Sequence, residues 1–359
     1  MTTPRFFTDP LSGATYPFKG RLTSTQMNQI LVGLRGIDYA LEWNQAYQWP
    51  VATTITSLLG KSVAFSRATM EALVLMQHTG ATTVNVRSYT PAGAFYAAKT
   101  ITAPAGGWTT TTYGVVVPSP TITVVGGATV NASAQKVATL DATTGAFTTR
   151  SMNNAEAAVG PACGVWDPYH SLFILGINGT GTTGKIETSP TGVTWTPRTS
   201  PSATTPSAIA TDSAGTVVVL LAGSGNKAWR STTGTAFDEV TMPATATWSS
   251  LTYSAGLGLW VATDASANLA TSLDGQSWAA ATLGGGITHP QKLASTKNLV
   301  ISLSAAGLTV STDGSTFRRA VYESPTVTVN DLWANDEIAL ALTNDTTDGK
   351  LRASPLFRI

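Results

Sequence analysis

Short apolar runs alternate with turn-forming residues along most of the chain, and the runs come in pairs. Leu251–Ala262 holds two such runs around Gly256 and Gly258. Ile209–Leu220, Leu293–Leu303 and Leu332–Leu342 have the same form, and Val165–Leu175 turns at Pro168. Val63–Met76 is an early version. Runs this brief, rich in Val, Ile and Thr and bounded by Gly, Pro, Asn and Asp, predict β-hairpins rather than helices. The N-terminal region has a different pattern. Residues 1–22 carry Pro4, Pro10, Gly13, Pro17 and Gly20 and predict an extended arm. Met27, Ile30, Leu34, Ile37 and Leu41 then recur at spacings of 3, 4, 3 and 4, which predicts one α-helix opening at a capping box in Thr23–Gln26.

A second periodicity is longer. The run Thr188–Trp195 contains Ser189, Gly192 and Trp195. Ser231, Gly234 and Phe237 repeat that spacing, as do Ser272, Gly275 and Trp278, and Ser311, Gly314 and Phe317. From glycine to glycine the steps are 42, 41 and 39 residues. Weaker copies place Gly145 before Phe147 and Gly93 before Phe95, and a truncated copy ends at Ser354. Each copy follows one of the paired runs, so the unit reads as four strands in forty-odd residues. That is a β-propeller blade. Seven copies predict an all-β, seven-bladed β-propeller over residues 46–359, behind an N-terminal arm and helix in residues 1–45. Six blades is the alternative if one weak copy is not a blade. The last copy stops before a fourth strand, so residues 47–54 are expected to supply it and close the ring.

The repeat has a mechanical reading. Asp274, Asp313 or a threonine before the glycine can bond nearby backbone amides, and glycine supplies the positive φ of the reversal. The aromatic is then expected to fill the wedge between blades. These residues resemble the Asp-box (BNR) repeat of sialidase-like propellers, with the stretch from Ser to Gly one residue shorter and Asp kept only at Asp274 and Asp313. That resemblance implies architecture, with the boxes on the outer rim and away from any active site. The stretch from Gly20 to Leu31 resembles a segment near the start of tailed-phage tail and fibre proteins, where it opens a helix after an anchoring arm.

Composition narrows the function. Only 11% of residues are charged, and the net charge of +1 leaves no basic face for nucleic acid. With 43% hydrophobic residues the chain is still expected to fold. One cysteine, Cys163, and three scattered histidines predict neither a disulfide nor a metal centre, and no cofactor is implied. No apolar run is long enough to span a membrane, and the N-terminus lacks the apolar core of a signal peptide. Synthesis in a cytoplasm without export by the usual route is therefore expected, and the resemblance to phage tail and fibre proteins implies a virion as the location.

Arg87, Arg230 and Arg352 fall at equivalent places in their repeats, and Arg198, Arg318 and Arg319 on outer strands, so none is expected to converge on a substrate. The acids form no recurring pair of the kind a glycosidase needs. A non-enzymatic protein is thus the expectation. Trp108 and Tyr113, in a long Gly-rich connection from Ala97 to Val116, and His289 are the candidate binding residues; Trp248 is expected in a blade core. The function expected is a phage tail or tail-fibre protein. Residues 1–45 would contact other virion proteins, or further copies of the chain, and the propeller would meet a host-surface glycan or protein receptor. A purely structural virion protein and a sialidase-like glycan hydrolase are the alternatives.

Overall fold

The computed structural model describes Phe6–Thr8, Thr15–Pro17, Thr53–Ile55 and residues 59–355 apart from 92–93, 223–224, 265, 267, 284–289, 305–306, 320–327, 337 and 345–347. The chain divides into a unit of Met1–Tyr47 and a unit of Gln48–Arg358. In the first unit, β1 (Phe6–Thr8) and β2 (Thr15–Pro17) pair as an antiparallel ribbon. The helix expected through Met27, Ile30, Leu34, Ile37 and Leu41 lies outside the described residues.

The second unit begins with β3 (Thr53–Ile55) and is a seven-bladed propeller. Blade 1 is β4 (Gly60–Ser66), β5 (Glu71–Met76), β6 (Thr83–Tyr89) and β7 (Phe95–Thr102). Blade 2 is β8 (Trp108–Pro118), β9 (Thr123–Thr129), β10 (Val137–Leu140) and β11 (Phe147–Arg150). Blade 3 is β12 (Pro161–Asp167), β13 (Leu172–Ile177), β14 (Thr183–Ser189) and β15 (Thr196–Thr199). Blade 4 is β16 (Thr205–Thr211), β17 (Val217–Ala222), β18 (Gly225–Ser231) and β19 (Asp238–Ala246). Blade 5 is β20 (Trp248–Ser254), β21 (Leu259–Asp264), β22 (Leu269–Ser272) and β23 (Ala279–Ala281). Blade 6 is β24 (Lys292–Ser295), β25 (Val300–Ser304), β26 (Gly307–Ser311) and β27 (Arg318–Arg319). Blade 7 is β28 (Thr328–Ala334), β29 (Ile338–Asn344) and β30 (Gly349–Pro355), completed by β3.

The clasp that completes blade 7 is short: Thr53 pairs with Leu351, Thr54 with Lys350 and Ile55 with Gly349. The closing strand thus begins at Thr53, near the end of the expected 47–54; residues 47–52 lie outside the described residues. The first strand of each blade abuts the first strand of the next, from β4 round to β28 and back.

Seven apolar clusters fill the seven wedges between blades. Val124 and Val137 of blade 2, for instance, meet Phe173, Leu175 and Trp195 of blade 3, and Val63 and Val74 of blade 1 meet Leu340 and Leu342 of blade 7. The repeated turn works as its residues suggest. It joins the third strand to the fourth in blades 3 to 6, and Gly192, Gly234, Gly275 and Gly314 all have φ between +68° and +75°. The N–H groups of Gly192, Gly275 and Gly314 donate to Ser189, Ser272 and Ser311 Oγ at 2.8–2.9 Å; in blade 4 Ser231 Oγ takes the Thr233 N–H instead. Asp274 and Asp313 each accept two further N–H groups of their turns. Trp195, Phe237 and Phe317 are buried, whereas Trp278 is half-buried, and the indoles of Trp195 and Trp278 donate to the carbonyls of Gly192 and Gly275.

The earliest copy departs from this plan. Gly93 lies outside the described residues, and Phe95 is 54% exposed. Tyr89, fully buried, takes the wedge in its place and meets Phe95 edge-on with ring centroids 5.8 Å apart.

Candidate functional site

The inner strands wall a central channel of about 480 Å³. In five blades a register shift sits near the start of the inner strand, for example between Gly60 and Ser62 in β4 and between Val329 and Asp331 in β28. Just past the shift, one equivalent position per blade borders the channel. Ser62, Val115, Cys163 and Ala208 occupy it in blades 1 to 4; Ser250, Lys292 and Asp331 occupy it in blades 5 to 7.

Where this residue carries a side-chain oxygen, it ties its blade to the next. Ser62 Oγ accepts the Val116 N–H at 3.3 Å, Ser250 Oγ accepts the Leu293 N–H at 2.8 Å, and Asp331 Oδ2 accepts the Val63 N–H at 2.9 Å. Lys292 has no acceptor to offer. The N–H that its blade would have tied, that of Leu332, donates instead to Asp331 Oδ1 at 2.9 Å. Asp331 Oδ2 also takes the Ser62 hydroxyl at 2.8 Å, so that one oxygen holds the seam between the last and first blades while Oδ1 serves its own strand.

Three consecutive blades therefore put Lys292, Asp331 and Lys61 on one side of the channel. The facing wall, on blades 2 to 5, is made of small neutral residues such as Gly114, Ala162, Ser207 and Ser249. Trp166, Tyr253 and Trp333 line the channel toward the ends of their inner strands. Lys61 and Lys292 are half-buried, and neither ammonium has an ion-pair partner among the described residues. Burial pushes the Lys61 ammonium below its ordinary value; the charge of Lys292 pushes the same way and Asp331 opposes both. Burial pushes the Asp331 carboxyl up, against Lys292 and its three donors.

The residues expected to bind fall elsewhere. Trp108 is fully buried at the start of β8, and its indole donates to the Gln135 carbonyl at 2.7 Å, so no face is free to stack on a sugar. The long connection around it is also shorter than expected: Ala97–Thr102 belong to β7 and only 103–107 link the blades. Tyr113 is half-exposed in a four-residue excursion of β8, between Thr109 and Gly114, and adjoins Gly114 of the channel wall. His289 lies outside the described residues. Trp248 is in the blade 4–blade 5 core. Arg87, Arg198, Arg230 and Arg318 lie on third and fourth strands, and Arg230 Nε donates to the Asp274 carbonyl of the next blade.

Lys61, Lys292 and Asp331 escaped the reading of the sequence. The paired runs align at Val63, Leu293 and Leu332, immediately after Ser62, Lys292 and Asp331. A charged residue just before an aligned strand was the available signal.

Two other polar clusters are structural. Lys136 is fully buried, and its Nζ donates to Thr129 Oγ1 and to the carbonyls of Glu156 and Val159 at 2.6–2.8 Å. Burial lowers its pKa to about 8. Glu187 beside it accepts the N–H groups of Asn153 and Asn154, so the pair fastens the loop between blades 2 and 3. Asp167 and His170 are 2.6 Å apart in the β12–β13 turn, where Asp167 also accepts the Tyr169 N–H.

The arrangement defines a propeller with a polar, one-sided channel. No protein-family model matches the sequence, and no curated protein matches it. Solved structures do. The chain is similar to virginiamycin B lyase from Staphylococcus aureus, solved with quinupristin, at 12% identity and a TM-score of 0.62, over 84% of this chain and 98% of that one. A streptogramin B lyase superposes at 13% identity and a TM-score of 0.62, over 86% and 100%. YCF48 from Cyanidioschyzon merolae superposes at 11% identity and a TM-score of 0.59, over 84% and 98%. These likenesses establish the fold. They also correct the expectation of a non-enzymatic protein: the lyases are catalysts on this same ring, so neither the fold nor a sparse set of acids is a ground for that expectation.

Proposed function

We propose that the chain is a tail or tail-fibre component of a tailed-phage particle, attached through residues 1–45 and presenting its propeller to the host surface. One observation carries this reading: the propeller closes with its own strand β3, and Met1–Tyr47 cluster, with Ile359, as a unit distinct from Gln48–Arg358. A ring closed by a strand of its own unit leaves the preceding unit available for attachment. The likeness of the Gly20–Leu31 segment to phage tail proteins supplies the partner, and the low charge suits a protein held in a particle by packing. On this reading the receptor is a host glycan or protein met at the propeller.

The test is deletion of residues 1–45 in a particle assembled from otherwise intact components. The truncated protein retains β3 and is expected to fold, with a thermal transition like that of the full chain, and to be missing from purified particles. Truncated protein found in particles at the level of the full chain would overturn the reading.

A further inference from the structure

The two lysines of the channel are placed at a cost. The position just past the shift is neutral except in blades 6 and 7, Lys61 adds a charge beside it in blade 1, and Lys292 gives up the tie that Ser62, Ser250 and Asp331 make. Lys61 stands in the register shift of β4, and a Cβ on Gly114 would meet its Cγ at 3.1 Å, so its stem crosses the front of β8. Asp331 stands between the two on the ring, yet its oxygens are already engaged by Ser62, Val63 and Leu332. Two half-buried cations without partners repel one another, and that repulsion is relieved when an anion sits between them. The channel's volume is within the range of small-molecule sites, and its facing wall of Gly, Ala and Ser leaves the room open.

We infer that Lys61 and Lys292 hold one small organic anion in the channel, gripping its carboxylate or phosphate group. Its body lies along the small-residue wall toward Trp166 and Tyr253. Asp331 positions the grip by fixing the seam between blades 7 and 1 and by balancing one of the two positive charges. The inference rests on the proposed host-surface role only for where such an anion comes from, an acidic surface sugar; the site itself stands on the channel.

The experiment is thermal denaturation of the full chain, titrated with inorganic phosphate, with glucuronate and with glucose, against sodium chloride at matched ionic strength. Phosphate, glucuronate or both are expected to raise the melting temperature saturably, and glucose is not. Glucuronate alone identifies a carboxylate ligand, and phosphate alone a phosphorylated one. Lys61→Met and Lys292→Met are each expected to weaken the effect at least tenfold, and surface Lys227→Met is expected to leave it unchanged. Should a methionine variant fail to fold, Lys292→Gln keeps a polar side chain there and serves instead. A rise matched by sodium chloride, an equal response to glucose, or an effect that survives in the folded double variant would overturn the inference. Failure of the particle experiment would leave these titrations untouched, so the two readings fail separately.

Discussion

The outer turns of blades 3 to 6 and the wall of the channel are built from the same repeat but obey different rules. At the rim, serine, glycine and an aromatic recur with one geometry. Gly192, Gly275 and Gly314 each donate to the serine three residues earlier, and each turn rests against the preceding blade. Along the channel the equivalent position is Ser, Val, Cys, Ala, Ser, Lys and Asp in turn. Uniformity at the rim reflects a shared task, since every wedge has to be filled and every hairpin reversed. Variation in the channel follows because this position borders both a wedge and the channel and no single side chain is required there, so charge can be placed on one side.

The sharpest way to break the comparison is to remove a wedge aromatic. Trp195→Ala is expected to cost about 3–5 kcal/mol, as a buried ring does. Trp278→Ala, at a half-buried copy of the same position, is expected to cost clearly less. Chemical denaturation of the two variants reads the difference, and equal losses would mean that the wedges are not what the aromatics serve.

A smaller effect separates the turn glycines from glycines elsewhere. Gly314→Ala meets both a positive φ and Leu259, only 2.5 Å from the new Cβ, and is expected to cost about 2–3 kcal/mol. Gly181 has a similar φ with nothing near its Cβ, and Gly181→Ala is expected to cost about 1 kcal/mol. Melting temperatures of the pair isolate the contact from the backbone strain.

Smaller again is the pH response of Lys136. Its pKa is about 8 in the folded protein against an ordinary 10.5, so between these values the unfolded chain binds more protons and stability rises with pH. From pH 8 to pH 9 the gain is about 1 kcal/mol. Lys136→Met is expected to abolish that slope in denaturation curves. Above pH 9 Cys163, pushed up to about 12 by burial, works in the opposite direction, which limits the useful window.

The smallest effect belongs to Asp274, an exposed turn carboxylate held at about 2, mainly by the Ser277 N–H. Its contribution is complete above its ordinary value of 3.8 and is lost as pH falls toward 2. Asp274→Asn is expected to flatten the acid limb of the melting curve slightly and to lower the melting temperature a little at neutral pH, where the contribution of the carboxylate is complete.

The architecture was legible because its signals are local. A serine, a glycine and an aromatic at fixed spacing report one hairpin, and counting hairpins counts blades. The closing strand followed from the same count, since the seventh copy lacked a fourth strand. What failed was anything that depends on where a strand starts. Trp108 reads as a loop aromatic beside Gly106 and Gly107, but β8 begins there and buries it. Phe95 reads as a wedge aromatic, but Tyr89 fills the gap first. The charged wall was invisible for a related reason: Lys61, Lys292 and Asp331 are far apart in sequence and meet only when the ring closes.

That closure has a mechanical side. β3 is held to β30 through three residue pairs, and the chain upstream of it is the segment proposed to be fixed to the particle. A pull on the arm is therefore delivered first to the clasp and not to the apolar wedges. Tearing β3 away costs three pairs, after which the load passes to β4, anchored on both sides by blades 7 and 2. On the proposed attachment the outermost strand would act as a fuse, yielding before the apolar wedges and able to pair again once the tension is released.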